Sequence, residues 1–324
     1  MTPFPDRRDL TILCVHAAYK VADTLKRRAP DLRVISAATR EEAEARLSEA
    51  DVICVSGLWR DEWLARAPKL RFVQSISAGV DQYGKDAFRA AGVRLASAQG
   101  ANATAVAQHA ISLILALARR LHHARDLQRD ASWFGMAKTP ATREDELSGK
   151  TLVVVGFGGI GARLGDYARA LGMKVIAVKR DVARLGGAAD EIVATENLHE
   201  VLPRADYLAL TCPLTPQTRG LIDAGALAAL KPGAALVNVA RGAVVDEAAL
   251  IAALEAGTLR EAALDCFETE PLPADSPLWA MSNVIVTQHV GGETRAYEDN
   301  VTDILLDNLA RLSRGDRDLR NQVL

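Results

Sequence analysis

A chain of 324 residues and 34.7 kDa holds about two domains' worth of sequence and can bury two cores, so no small scaffold stapled by disulfides or nucleated by a metal is involved. Lys and Arg (39) nearly balance Asp and Glu (41), and a net charge of −2 leaves no basic field to gather nucleic acid or an anionic lipid surface. With 49% hydrophobic and 25% charged residues, the composition excludes a disordered chain.

The amino terminus carries Asp6, Arg7, Arg8 and Asp9 and no apolar block of signal-peptide length, which makes the cytoplasm the expected compartment. Residues 11–15, 33–35, 52–55, 72–76 and 93–95 are short apolar, β-branched runs. They alternate with helical patterns such as 39–50, where Glu41, Glu42, Glu44 and Arg46 take the solvent side. Such alternation predicts a parallel sheet with helices on its faces. From 102 to 120 the chain is almost continuously apolar and suited to a helix buried on most sides, and its longest apolar stretch, 103–118, broken by Gln108, His109 and Ser112, is too short for a membrane span. A polar stretch, 125–150, with Trp133, Phe134 and Pro140 within it, reads as a connecting arm.

Six further strand-like runs follow, at 151–155, 174–178, 207–211, 235–239, 262–266 and 284–287. Six parallel strands that open on a glycine-rich turn meet the requirement of two mononucleotide-binding halves. The amphipathic stretch 294–312 is expected to form a helix that returns to the first domain. Four single cysteines, Cys14, Cys54, Cys212 and Cys266, sit near apolar segments without paired spacing, so they read as buried free thiols, and no metal centre is expected. Trp59, Trp63, Trp133 and Phe134 read as core or interface aromatics.

The turn Gly156-Phe157-Gly158-Gly159-Ile160-Gly161 lies between the strand 151–155 and a helical segment. In that context Gly156 permits a tight turn, Gly158 lets a pyrophosphate approach the backbone, and Gly161 lets the helix pack on the strand. Lys179 and Arg180 follow the second strand, where two cations suit a ribose 2′-phosphate, so NADP(H) is favoured. The alternative is NAD(H), with Asp181, 20 residues past Gly161, taking the ribose hydroxyls.

Three ionisable residues follow the last three strands: Arg241, Glu270 and His289. Ligands of an open α/β sheet bind along that edge. An arginine that grips a carboxylate, a histidine that gives a proton and a carboxylate that supports the histidine suit reduction of a 2-oxoacid. The other histidines, His16, His109, His122, His123 and His199, read as structural.

Over nearly its full length the sequence resembles the D-isomer-specific 2-hydroxyacid dehydrogenase family, and it is similar to glyoxylate and hydroxypyruvate reductases. The segments that carry the resemblance are Ser77-Ala78-Gly79-Val80-Asp81, 102–119, 155–161, Pro213-Leu214-Thr215-Pro216-Gln217-Thr218, 238–242, 264–273 and 276–292. The resemblance implies a Rossmann-type doubly wound domain, 101–293, with a dimerisation arm. It also implies a flavodoxin-like substrate-binding domain from 1–100 and 294–324, the two closing over a cleft. Arg241, Glu270 and His289 become substrate arginine, supporting acid and proton donor. The backbone of Ala78 and Gly79 would meet the substrate carboxylate, and Asp265 the nicotinamide carboxamide. Gly159, Ile160, Cys212, Pro213, Thr218, Val239, Ala240 and Gly291 would line the cofactor. A homodimer acting on a small 2-oxoacid, away from nucleic acid and membranes, is expected. The alternative is a catalytically idle dinucleotide sensor of the corepressor type. The sequence departs from the family pattern at Gln288 (usually proline), Gln108 (usually glutamate) and Cys266 (commonly valine).

Overall fold

The computed structural model describes residues 4–133, 135–137, 139, 143–182 and 189–324; Phe134 and Pro140 of the expected arm lie outside them. The chain divides into two compact units, Met1–Asn102 with Thr294–Leu324, and Ala103–Glu293.

The first unit runs β1 (Thr11–Val15), α1 (Val21–Arg28), β2 (Arg33–Ala37), α2 (Arg40–Glu44), β3 (Val52–Val55), α3 (Trp63–Arg66), β4 (Phe72–Ser75), α4 (Lys85–Ala91) and β5 (Arg94–Ala96). Its five strands are parallel in the order β2-β1-β3-β4-β5, the flavodoxin arrangement. The period-two alternation of each strand feeds two cores. Ile12, Cys14, Val52, Cys54 and Phe72 pack on one face with Val21 and Leu25 of α1. Leu13, Val15, Ile53, Val55 and Val73 pack on the other with Trp59, Trp63 and Phe88. Trp59 and Trp63 are therefore core residues. The helix expected over 39–50 is shorter: Thr39 caps α2 by accepting from the Glu42 N–H at 3.2 Å, and after Glu44 the chain turns into a 3₁₀ segment at Leu47–Glu49.

The second unit contains α5 (Ala103–Ala118), α6 (Leu121–Arg129), β6 (Thr151–Val155), α7 (Gly159–Ala170), β7 (Lys174–Lys179), β8 (Glu191–Ala194), α8 (Leu198–Val201), β9 (Tyr207–Leu210), α9 (Ala224–Ala228), β10 (Ala235–Asn238), α10 (Glu247–Glu255), β11 (Glu261–Leu264) and β12 (Val284–Val286). The final helix, α11 (Tyr297–Arg314), packs in the first unit, where Val301, Ile304, Leu305 and Leu309 complete the core beside α1. Asn308 Nδ2 donates to buried Gln74 Oε1 at 2.8 Å, and the Tyr297 hydroxyl to the Ile76 carbonyl at 2.5 Å.

All strands of the large sheet are parallel, in the order β12-β11-β10-β9-β6-β7-β8. Side chains again divide by parity: Leu152 and Val154 face α5 and α7, whereas Val153 and Val155 face the layer that holds Leu198, Leu227 and Leu250. The result is a three-layer, doubly wound Rossmann-type sheet. The sequence suggested six strands, and the structure corrects that to seven. β8 is the third strand of the first mononucleotide-binding half, and β12 extends the second half by one. Part of the expected arm is also helical, since α6 reaches Arg129. Among the described residues, no helix is long and apolar enough to cross a membrane.

Candidate active site

Because every strand of the large sheet runs the same way, the segments after β6, β9, β10, β11 and β12 emerge along one edge. The reversal of strand order between β6 and β9 opens a crevice there, the position at which such sheets take ligands.

The glycine turn is built at that reversal. Gly156 has φ +94°, and a Cβ on it would lie 2.5 Å from the backbone of Cys212. Only glycine meets both demands. At Gly161 a Cβ would lie 2.5 Å from the Gly156 carbonyl oxygen, so this glycine sets the close approach of α7 to β6. Gly158, the N-cap of α7, has nothing within 4 Å of where a Cβ would stand, so the turn is open where a diphosphate would approach. Gly159 and Ile160 form the first turn of α7, whose N–H groups and dipole suit an anion. These features fit a dinucleotide cofactor.

Thr211 Oγ1 donates to the Gly156 carbonyl at 2.7 Å and ties the β9 loop to the turn. Cys212 is buried, and burial pushes its thiol up to about 11, so it is a packing group and no nucleophile. Thr218 Oγ1 donates to the Pro213 carbonyl at 2.7 Å and folds 213–218 into a compact turn. Val239 and Ala240 are buried after β10. Lys179 ends β7 and is half-buried, with Arg180 and Asp181 exposed just beyond it.

Arg241, Glu270 and His289 all belong to the second unit. His289 Nδ1 lies 2.8 Å from Glu270 Oε2. An ionised carboxylate only accepts, so Nδ1 carries the hydrogen and Nε2 is the nitrogen left for proton transfer. Glu270 Oε1 accepts from the Phe267 N–H at 3.0 Å, which fixes the carboxylate at both oxygens. Arg241 is held at its base. Asn238 Oδ1 accepts from the Ala240 N–H at 3.0 Å, and its Nδ2 donates to the Arg241 carbonyl at 3.1 Å. Arg241 Nη1 donates to the Ala240 carbonyl at 2.7 Å. A Cβ on the next residue, Gly242, would lie 1.8 Å from the Phe267 carbonyl carbon. This packing brings the Arg241 segment against the loop that begins at Phe267 and carries Glu270.

Asp265 organises the His289 loop. Its Oδ1 accepts from Thr287 Oγ1 at 2.6 Å and from the Val290 N–H at 3.0 Å, and its Oδ2 accepts from the Gly291 N–H at 2.9 Å. The loop is thus gripped on both sides of His289, which holds a left-handed φ of +54°. Burial pushes the Asp265 carboxyl up, but hydrogen bonds from His109, Thr287 and Gly291 outweigh it and hold the group below the usual aspartate range. His109 Nε2 lies 3.4 Å from Asp265 Oδ1 and 3.1 Å from Thr287 Oγ1. His109, read from sequence as structural, thereby lies beneath the loop that carries His289. Its sequence signal was a histidine inside an apolar helix, and nothing local distinguishes that from a satisfied core residue. A Cβ on Gly291 would lie 2.8 Å from Asp265 Oδ2 and 3.1 Å from the His109 ring, so glycine is required there too. Asp265 still has lone-pair capacity at Oδ2 for one more donor. Ala78, exposed, and Gly79, half-buried, lie after β4 in the first unit.

Comparison with known proteins identifies the family. Residues 111–291 match the model of the D-isomer specific 2-hydroxyacid dehydrogenase NAD binding domain. The chain is 39% identical over 277 residues to D-3-phosphoglycerate dehydrogenase of Mycobacterium tuberculosis, covering 85% of this chain and 51% of that protein. It thus spans about half the length of the phosphoglycerate dehydrogenases it matches. It is 38% identical over 250 residues to (S)-sulfolactate dehydrogenase of Chromohalobacter salexigens (77% and 80% covered). With glyoxylate reductase of Aeropyrum pernix it shares 34% over 259 residues (78% and 76% covered). A family member from Aeromonas salmonicida superposes with TM-score 0.85 at 30% identity, over 98% of this chain and 99% of that one. One from Xanthobacter autotrophicus, solved with NADPH and MES, gives 0.78 at 30%, over 97% and 98%. Fold, glycine turn and matching sequence together place the chain in the D-isomer-specific 2-hydroxyacid dehydrogenase family.

Proposed function

We propose that this protein reduces a small 2-oxoacid of the glyoxylate or hydroxypyruvate type to the D-2-hydroxyacid, with NADPH as the preferred donor. The observation that carries the reading is the 2.8 Å contact of His289 Nδ1 with Glu270 at the ligand-binding edge of the large sheet. Bound in the Gly156–Gly161 turn, the nicotinamide cofactor supplies the hydride for the carbonyl carbon. The Arg241 guanidinium pairs with the substrate carboxylate and polarises the ketone. His289 Nε2 gives the proton to the carbonyl oxygen, and Glu270 keeps the imidazole ring oriented through Nδ1. The spare acceptor capacity of Asp265 suits the nicotinamide carboxamide, and the backbone of Ala78 and Gly79 is a candidate for binding the substrate carboxylate. Lys179 and Arg180 favour a 2′-phosphate by charge, and the NADPH-bound relative supports that choice. Four buried free cysteines suit a reducing compartment such as the cytoplasm. The working form is a homodimer formed through α6 and the segment after it.

Initial rates with glyoxylate and with hydroxypyruvate, each with NADPH and with NADH, test the reading. Oxidation of NADPH by either acid supports it. No turnover across a panel of 2-oxoacids, with tight cofactor binding retained, would establish the idle sensor in its place.

A further inference from the structure

On the second unit, away from the catalytic edge, α6 meets the start of β11. Three potential metal ligands converge there: His122 and His123 of α6 and Glu261, the first residue of β11, with one ligand atom from each inside a mutual distance of 4.8 Å. His122 Nε2 lies 3.8 Å from Glu261 Oε1, and the two imidazoles stand 4.3 Å apart, centroid to centroid. The side chains of His122 and Glu261 are only 12% and 9% exposed. Both ring nitrogens of His122 are buried and neither makes a well-formed hydrogen bond among the described residues, although the Ala116 carbonyl lies within reach of the ring. Buried polar atoms without good partners are unfavourable, and a bound ligand is one way to supply a partner. Glu261 is partly compensated: its Oε2 lies 3.3 Å from Arg260 Nε, which leaves Oε1 directed to the histidines.

We propose that His122, His123 and Glu261 form a structural zinc site. Two imidazole nitrogens and one carboxylate oxygen are a donor set of the borderline type that Zn²⁺ accepts, with water able to complete a tetrahedron. The ion would give the buried nitrogens of His122 a partner and fasten α6 to the sheet. Its place at the opening of β11, whose other end leads to Asp265 and Glu270, makes it a support for the fold with no part in hydride transfer.

The test is zinc binding by the full-length, untagged protein after chelator treatment and dialysis, followed by calorimetry and X-ray absorption. One Zn²⁺ per chain with a Kd of about 10 µM or tighter is expected. The absorption spectrum should show two imidazole nitrogens at about 2.0–2.1 Å. His123→Ala, at a half-buried position that tolerates truncation, should weaken binding at least about 10-fold, as should His122→Ala and Glu261→Gln. His289→Ala should leave binding unchanged, because the ion is not at the catalytic histidine. Absence of binding at about 100 µM Zn²⁺ would overturn the proposal, as would binding that survives His123→Ala or is lost in His289→Ala.

Discussion

His289 is anchored through Nδ1 and open at Nε2, so its replacement removes the proposed proton donor and leaves the cofactor turn, on a different loop, intact. His289→Ala is expected to lower kcat by about 10²- to 10⁴-fold under conditions where chemistry limits the rate, with NADPH affinity little changed. Wild-type kcat in this variant would remove His289 from the proton-transfer role. At the ribose end the residue proposed to discriminate is Lys179, the last residue of β7. Lys179→Asp replaces attraction for a 2′-phosphate with repulsion and offers the ribose hydroxyls an acceptor, so kcat/KM should move from NADPH toward NADH. The proposed preference for NADPH should also shrink as salt rises, because exposed charge pairs are screened. Equal or better wild-type activity with NADH would show that Asp181 or the backbone holds the ribose.

At the scale of elements, the loop that carries His289 is held by its connection to the β11 end. Asp265 sits 3% exposed among donors from both sides of the His289 loop, so its charged form is part of what the fold stabilises. A carboxyl held below its unfolded value of 3.8 contributes stability that is fully present above that value and lost as pH falls through the lower folded one. Thermal melts below pH 3.8 should therefore fall more steeply for the wild type than for Asp265→Asn, which has no proton to take up; parallel curves would refute the assignment. The same contacts show what the sequence could convey. The glycine turn and the Arg241, Glu270 and His289 positions were legible because strand ends and glycine spacing are local signals. The grip of His109 and Asp265 on residues 287–291 was not, because it joins α5 to two strand ends over as many as 178 positions. β8 escaped notice for a different reason: Glu191–Ala194 is a four-residue edge strand, half-exposed throughout, and its Ile192 and Val193 alone carry no period. The strand limits moved as well. Asp265 and Cys266 lie beyond β11, and that is why the Asp265 side chain is free to turn into the loop.

At the scale of the molecule, α6 poses the remaining demand. It is a nine-residue amphipathic helix in which no residue is fully buried, although the His122 side chain is covered beside Glu261, and a helix so short has little stability in water unless a face is covered. Leu121, Ala124 and Leu127 share one side of it at three-residue spacing, and Leu121 is 55% exposed. Trp133 and Met136, just beyond, are each 97% exposed, a large apolar display for an isolated chain. A second copy applied about a twofold axis would cover both displays at once, since each protomer presents the same patch. Sedimentation equilibrium at micromolar concentration should then give twice 34.7 kDa, and the thermal midpoint should rise with protein concentration. Trp133→Glu combined with Leu127→Glu places charge in the patch, and the double variant should sediment as a monomer with the glycine turn and the His289–Glu270 pair intact. A wild-type protein that sediments at 34.7 kDa throughout that range would leave α6 without its second copy and refute the dimer.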